Sequence, residues 1–159
     1  SLIIPNGGIN TDFLKRFNLF TRNQITAKNR RFFIVCGGGA TTRHYQQAAK
    51  DVVGTISNED LDWLGIHSTR LNAHLLRTIF QDIAYFRVKK HYDQIDVVDK
   101  PVLIASGWKP GCSTDYDAVL LAEEYQAGTV INLSNIAMVY DRDPNKFSDA
   151  KPFSELSWL

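Results

Sequence analysis

Three stretches of the sequence put glycine, hydroxyl, amide and charged residues where a chain could hold an anion. The first is Gly37-Gly38-Gly39-Ala40-Thr41-Thr42-Arg43. It follows an apolar run and opens a helical pattern, so its amides and the helix N-terminus could cradle a phosphate. Arg43, about one turn into the helix, could grip the same group with its guanidinium fork. The plain alternative is a tight turn followed by a solvated arginine. No G-x-x-x-x-G-K-[ST] string occurs, and Thr42 stands where a dinucleotide fingerprint needs its third glycine.

The second stretch is Gly107-Trp108-Lys109-Pro110-Gly111-Cys112-Ser113-Thr114-Asp115. Pro110-Gly111 forces a turn, Ser113 or Thr114 can cap the following helix, and Asp115 falls in its first turn. Capping alone would account for most of this, yet it leaves Lys109 unexplained. A lysine beside hydroxyls at a helix N-terminus is what phosphate binding uses. Asp115 would resist an anion there unless it orients a donor or, through water, a cation. The third stretch is Asn132-Leu133-Ser134-Asn135, continuing to Tyr140 and Asp143-Pro144. Its amides and hydroxyl suit a ligand, Tyr140 could stack on a base or ribose, and Asp143-Pro144-Asn145 also reads as an ordinary turn.

The elements that must position these loops can be read from hydrophobic patterning. Phe32 to Cys36, Val102 to Ala105 and Thr129 to Leu133 are short, continuous, β-rich apolar runs, as expected of strands buried on both faces of a parallel sheet. Tyr45, Ala48, Ala49 and Val52 carry helical spacing after the first run, and Ala118, Leu121, Ala122 and Tyr125 after the second. Ser57 with Glu59 and Asp60 marks a helix start; that helix is expected to run to about Ile83, with Leu64, Leu71, Leu75, Leu76 and Ile79 inward. Asn10-Thr11-Asp12 caps a short helix through Phe13, Leu14 and Phe17. Residues 88–100 show no clear period. Alternating strands and helices predict an α/β fold: a doubly wound, mostly parallel sheet with helices on both faces, its ligands outside the carboxyl ends of the strands.

The totals narrow the function classes. A chain of 159 residues with 44% hydrophobic content is read as a single domain, residues 1–159. Its 18 Lys and Arg against 17 Asp and Glu give a net charge of +1, which supports neither a nucleic-acid nor a polybasic membrane surface. Cys36 and Cys112 lie far apart without metal-ligand spacing, pointing to a reduced, cytoplasmic setting. No run approaches the roughly 18 apolar residues of a membrane span. His44, His67, His74 and His91 show no metal-ligand grouping, and no metal site is expected from protein side chains.

Taken together, four blocks resemble the amino-acid kinase superfamily and, within it, the uridylate (UMP) kinases of archaeal style. They are Gly37-Gly38-Gly39 with Arg43; Asp62-Trp63-Leu64-Gly65-Ile66-His67-Ser68-Thr69-Arg70-Leu71-Asn72-Ala73; Pro110 to Asp115; and Asn132 to Pro144. By that resemblance Gly38, Gly39 and Arg43 hold the phosphate of the acceptor, Asp62, Gly65 and Thr69 border its sugar and base, and Thr114 touches the acceptor phosphate. Asp115 orders the reaction centre, with Arg43 and Lys109 neutralising charge. Ser134, Asn135, Tyr140 and Asp143 line the ATP side.

The implied reaction takes ATP and UMP to ADP and UDP with Mg²⁺ on the donor, in a homo-oligomer, commonly a hexamer. The family's Gly-Gly-Ser loop would end at Ser1 and its C-terminal portion would lie beyond Leu159, so the chain is read as a fragment of that domain. The family's Asp-Gly is Ala137-Met138 here. That departure keeps open a non-catalytic nucleotide- or oligoanion-binding relative; kinases of another small acid or phosphate are the remaining alternative.

Overall fold

The computed structural model describes residues 2–134 and 138–155. Helix α1 (Thr11–Lys28) opens with Asn10, whose side chain accepts from the Phe13 amide, and stops at Asn29 in the left-handed region. It is longer than the short helix expected, because nothing between Phe17 and Lys28 breaks it and Leu14, Thr21 and Ile25 continue its inner stripe. Strand β1 (Phe32–Val35) follows, then α2 (Gly39–Val53), α3 (Asn58–Ile79), β2 (Val102–Ala105) and α4 (Thr114–Glu124). A small hairpin of β3 (Val139–Tyr140) and β4 (Pro152–Phe153) forms its own antiparallel sheet.

β1 and β2 pair in parallel, Phe32 opposite Val102 and Val35 opposite Ala105. The other edge of β2 is taken by residues 84–89, which bridge in parallel at Ala84 and Lys89. The Tyr85 amide donates to Val102 O at 2.8 Å and the Lys89 amide to Ile104 O at 2.9 Å. β2 is therefore central, and all four of its residues are buried. Side chains alternate across the sheet as the pleat requires. Phe32, Ile34, Val102 and Ile104 face a core with Leu14 of α1 and Ala73, Leu76 and Phe80 of and after α3. Phe33, Val35, Leu103 and Ala105 face Leu121 of α4. Helices thus cover both faces of a parallel sheet, the expected architecture.

Four expectations are corrected. α3 ends at Ile79, not Ile83, with Phe80 as its C-cap and fully buried. Leu71 is not inward but 65% exposed, because the buried stripe of α3 runs Ile66, Thr69, Ala73, Leu76 and Leu71 falls off it. The apolar positions Tyr45 and Val52 of α2 are exposed as well. That helix packs on α3 through Thr42, against Gly65, and Gln46, which donates to Leu61 O at 2.8 Å. Finally, Thr129 to Leu133 is not a strand. Val130, Ile131 and Leu133 are exposed there, and a β-rich run without a partner strand has no ladder to join.

Candidate functional site

The carboxyl ends of β1 and β2 lie side by side, so the loops that leave them emerge together. After β1 the chain passes through Gly37 and Gly38, turns at Gly39 with φ of +64°, and enters α2. Asn72 of α3, fully buried, reaches under this loop: its Nδ2 donates to Gly37 O at 2.8 Å and to Gly38 O at 3.0 Å. In a trans peptide the carbonyl and the next amide point in opposite directions. Holding both carbonyls against α3 therefore turns the amides of Gly38 and Gly39 toward the open rim. Gly38 is also pressed so closely that a Cβ there would fall 1.8 Å from Thr42 Oγ1 and 3.5 Å from Gly65 O. The Gly-rich loop is clamped from beneath by Asn72 and pressed by Thr42, not a free turn.

The loop after β2 is tied the other way. Its amides are held by protein acceptors: Gly107 N donates to Thr69 Oγ1 at 2.9 Å, Trp108 N to Asp117 Oδ2 at 3.2 Å, and Gly111 N to Asp62 Oδ2 at 2.8 Å. These three donors are occupied, so an anion at this loop must use other groups. α4 supplies them. Ser113 is the N-cap, accepting from the Tyr116 amide, which leaves the Thr114 and Asp115 amides at the positive end of the helix dipole. Thr114 Oγ1 lies 4.0 Å from where a Cβ on Gly37 would stand, so the two loops touch.

The predicted residues divide accordingly. Gly38, Gly39, Thr114, Asp62, Gly65 and Thr69 come together around one rim. Thr69 is more than a border: its hydroxyl donates to Ile66 O at 2.6 Å while accepting from Gly107, so it anchors the loop. Asp62 likewise has one carboxylate oxygen occupied by Gly111. Arg43 is exposed and its Nη2 donates to Asn6 Oδ1 at 3.0 Å, on the side of residues 4–9. Lys109 rests its ammonium 4.0 Å above the Trp108 ring. Asp115 is exposed at the start of α4.

On the expected donor side, Ser134 is exposed and Asn135 lies outside the described residues. Tyr140 sits in the β3–β4 hairpin, and Asp143 accepts from the Asn145 amide at 2.9 Å, an Asx turn. No hydrogen bond or ion pair among the described residues links Tyr140 or Asp143 to the loops after β1 and β2.

Two residues that matter here had no role assigned from sequence. Asn72 lies within a quoted block, and its signal is a polar residue on the buried stripe of α3. Asp117 is fully buried on α4, and burial pushes its carboxyl up to about 6, the Trp108 amide pulling the other way. Burial also raises the Cys36 thiol, to about 12, which makes it inert. Beyond the rim, Lys89 is buried between Glu124 at 2.9 Å and Asp96 at 3.3 Å, fastening residues 84–89 to α4. Among the described residues no three His, Cys, Asp or Glu side chains gather as a metal-binding group, and no helix is long and apolar enough to cross a membrane.

Comparisons with known proteins point in one direction. The model of the amino acid kinase family matches residues 20–159. The uridylate kinase of Sulfurisphaera tokodaii is 36% identical over 141 residues, covering 86% of this chain and 61% of that protein. That of Methanocaldococcus jannaschii is 31% identical over 160 residues, covering 99% and 69%. That of Thermococcus kodakarensis is 39% identical over 126 residues, covering 78% and 55%. The chain thus spans 55–69% of the length of these curated relatives. Among solved structures, the uridylate kinase of Archaeoglobus fulgidus superposes with a TM-score of 0.72 at 30% identity, covering 89% of this chain and 66% of that one.

Proposed function

We propose that this chain, which belongs to the amino acid kinase family, carries the acceptor half of a uridylate kinase and that UMP is the nucleotide it holds. One observation carries the reading. The Gly37–Gly39 cradle, turned outward by Asn72, meets the α4 N-terminus and Thr114 over adjacent parallel strands, with Asp62 and Gly65 of α3 beside them. Backbone donors of two touching loops then border a place where a phosphate can be shared, and Asp62, one oxygen held by the Gly111 amide, is the carboxylate assigned to the sugar in this reading. Similarity to archaeal relatives named uridylate kinase supports UMP as that nucleotide.

In this reading the Gly38 and Gly39 amides, with Arg43, take the phosphate of UMP. The Thr114 hydroxyl and the α4 amides take its other face, Lys109 and Arg43 offset developing charge, and Asp115 orders the reaction centre. ATP is the donor, on the side of Ser134, Asn135, Tyr140 and Asp143. Phosphoryl transfer asks for positioning and charge stabilisation, with no covalent nucleophile. When bound with ATP, Mg²⁺ would supply charge neutralisation on the donor phosphates; Mg²⁺ is held by few carboxylates and much water, which suits a rim where Asp115 is exposed and Asp62 already accepts from the Gly111 amide. We place the protein in the cytoplasm, as one domain in a homo-oligomer of hexameric type.

Titration calorimetry with UMP, CMP and AMP in turn, beside an ADP-release assay with ATP and Mg²⁺, tests the proposal. UMP is expected to bind at least tenfold more tightly than AMP, a difference of about 1.4 kcal/mol. Equal affinity for all three would overturn it. UMP binding without ADP release would select the non-catalytic alternative.

A further inference from the structure

Asp117 sits where α4 calls for an apolar side chain. One turn later comes Leu121, buried in the core against β2, and Asp117 is buried just as fully. Oδ2 accepts from the Trp108 amide, while Oδ1 is buried without a hydrogen-bond partner. None of the ion pairs among the described residues includes it. A desolvated carboxylate without a cation opposes folding, and an aliphatic residue would fill the same place at less cost. Packing therefore does not account for an aspartate here.

What it touches does. Trp108 is the third residue of the loop after β2, and both of its backbone groups are held: the amide by Asp117, the carbonyl by Arg70 Nη2 at 3.4 Å. The indole lies tilted against Tyr92, ring centres 5.9 Å apart, and carries the Lys109 ammonium on its face. Moving the Trp108 backbone moves the platform beneath Lys109.

We propose that Asp117 is a positioning residue of the phosphate loop: by holding the Trp108 amide it fixes the indole on which Lys109 rests, and with it the direction from which Lys109 meets the acceptor phosphate. The consequence for UMP rests on the function proposed above; the hold on Trp108 does not. The titratable groups around Asp117 are Tyr92, whose hydroxyl donates to Ser106 O at 2.8 Å, and, facing the same tyrosine, Cys36 just after β1 and Glu124 from the end of α4, the latter paired with Lys89. Asp115 stands on its own helix, exposed.

The test has two arms. In the ligand-free chain, exchange of the Trp108 amide proton with solvent is followed by NMR at one pH. In the wild type it should be protected at least about tenfold relative to an unstructured peptide; Asp117→Val, which removes the acceptor, should lose that protection, and Asp117→Asn, which keeps an acceptor oxygen, should retain most of it. A wild-type amide that exchanges like an unstructured peptide, or one equally protected in Asp117→Val, would overturn the hold.

In the second arm UMP affinity is measured for the wild type, Asp117→Asn, Asp117→Val and Lys109→Met, and for each Asp117 variant combined with Lys109→Met. Asp117→Val should weaken UMP about tenfold, Asp117→Asn by less than about threefold, and both effects should disappear in the Lys109→Met background. Because UMP titrates near pH 6 itself, variants are compared at one pH above 7. Effects that persist undiminished without Lys109 would overturn the positioning role. Should Asp117→Val not fold, the Asp117→Asn cycle and the wild-type exchange still decide. A wild type that fails to bind UMP sinks the functional reading, and the first arm then decides the hold on Trp108.

Discussion

Exchanging Asn72 for aspartate alters one group of atoms and removes the clamp under the glycine-rich loop. The amide nitrogen that donates to Gly37 O at 2.8 Å and Gly38 O at 3.0 Å becomes a carboxylate oxygen facing two carbonyl oxygens. Two side-chain hydrogen bonds at about 1 to 1.5 kcal/mol each are lost, and a buried charge without a partner adds to them, for a total of about 3 to 5 kcal/mol. Asn72→Leu loses the bonds without gaining the charge and should cost about 2 to 3 kcal/mol. Urea denaturation at pH 7 reads both values. The difference between the two variants should narrow at pH 5, because a protonated carboxyl can donate to one of the carbonyls. With the carbonyls released, the Gly38 and Gly39 amides are free to turn inward, and UMP affinity should fall about tenfold or more in either variant that remains folded. A loss of stability under about 1 kcal/mol together with unchanged UMP affinity would show that the loop holds its shape without Asn72, and the argument for an outward-turned cradle would fail.

The carboxyl of Asp117 moves from about 4 in the unfolded chain to about 6 in the folded protein. Folding therefore takes up a proton between those values, and this residue's contribution is present below pH 4 and lost as pH rises through 6. Asp117→Asn should be more stable than the wild type at pH 7 by up to roughly 3 kcal/mol, with the gap closing toward pH 4; parallel unfolding curves at all pH values would contradict this. Gly38→Ala puts its Cβ 3.0 Å from Thr42 Cβ as well as against the hydroxyl, and should cost about 1 to 3 kcal/mol in thermal unfolding, partly relieved by Thr42→Ala. Lys89→Ala strands the buried Glu124 carboxylate and should cost about 3 to 5 kcal/mol, more than Glu124→Gln, which leaves Lys89 with Asp96. The Arg22 fork on Asp82, with both bonds at 2.8 Å, holds that exposed carboxyl down near 2. Its small contribution is present above pH 4 and fades as pH falls toward 2, so Asp82→Asn should be slightly less stable than the wild type at pH 7, with the difference closing toward pH 2.

Much of this was legible in the sequence because the informative signals are local. Asn10 and Ser57 announce their helices by capping chemistry, and Phe32 to Val35 and Val102 to Ala105 announce buried strands by unbroken apolar runs. The loops after those strands declare themselves by glycine and hydroxyl content. What escaped depends on distance through the fold. Thr129 to Leu133 has the composition of a strand, and composition does not say whether a partner edge will be there. Leu71 looks inward until the rotation of α3 is known, since Thr69 and Asn72, both polar, occupy the stripe that an apolar count assigns to leucines. Asp62 and Thr69 read as ligand contacts, and only the coordinates show their oxygens already engaged by the amides of Gly111 and Gly107. Asp117 looks like a solvated residue of a first turn because nothing in its neighbourhood along the chain reveals that Trp108 folds over it.

The parallel register of β1 and β2 decides when such a site can exist. A hairpin could assemble its two halves from neighbouring residues, whereas here the halves are separated by two helices and a crossover. During synthesis the Gly37–Gly39 segment waits, without its partner, until β2 and the start of α4 have left the ribosome. Until then nothing turns a nucleotide away or welcomes it, so ligand cannot chaperone the early chain; it can only latch a structure whose slow, long-range pairing is already complete.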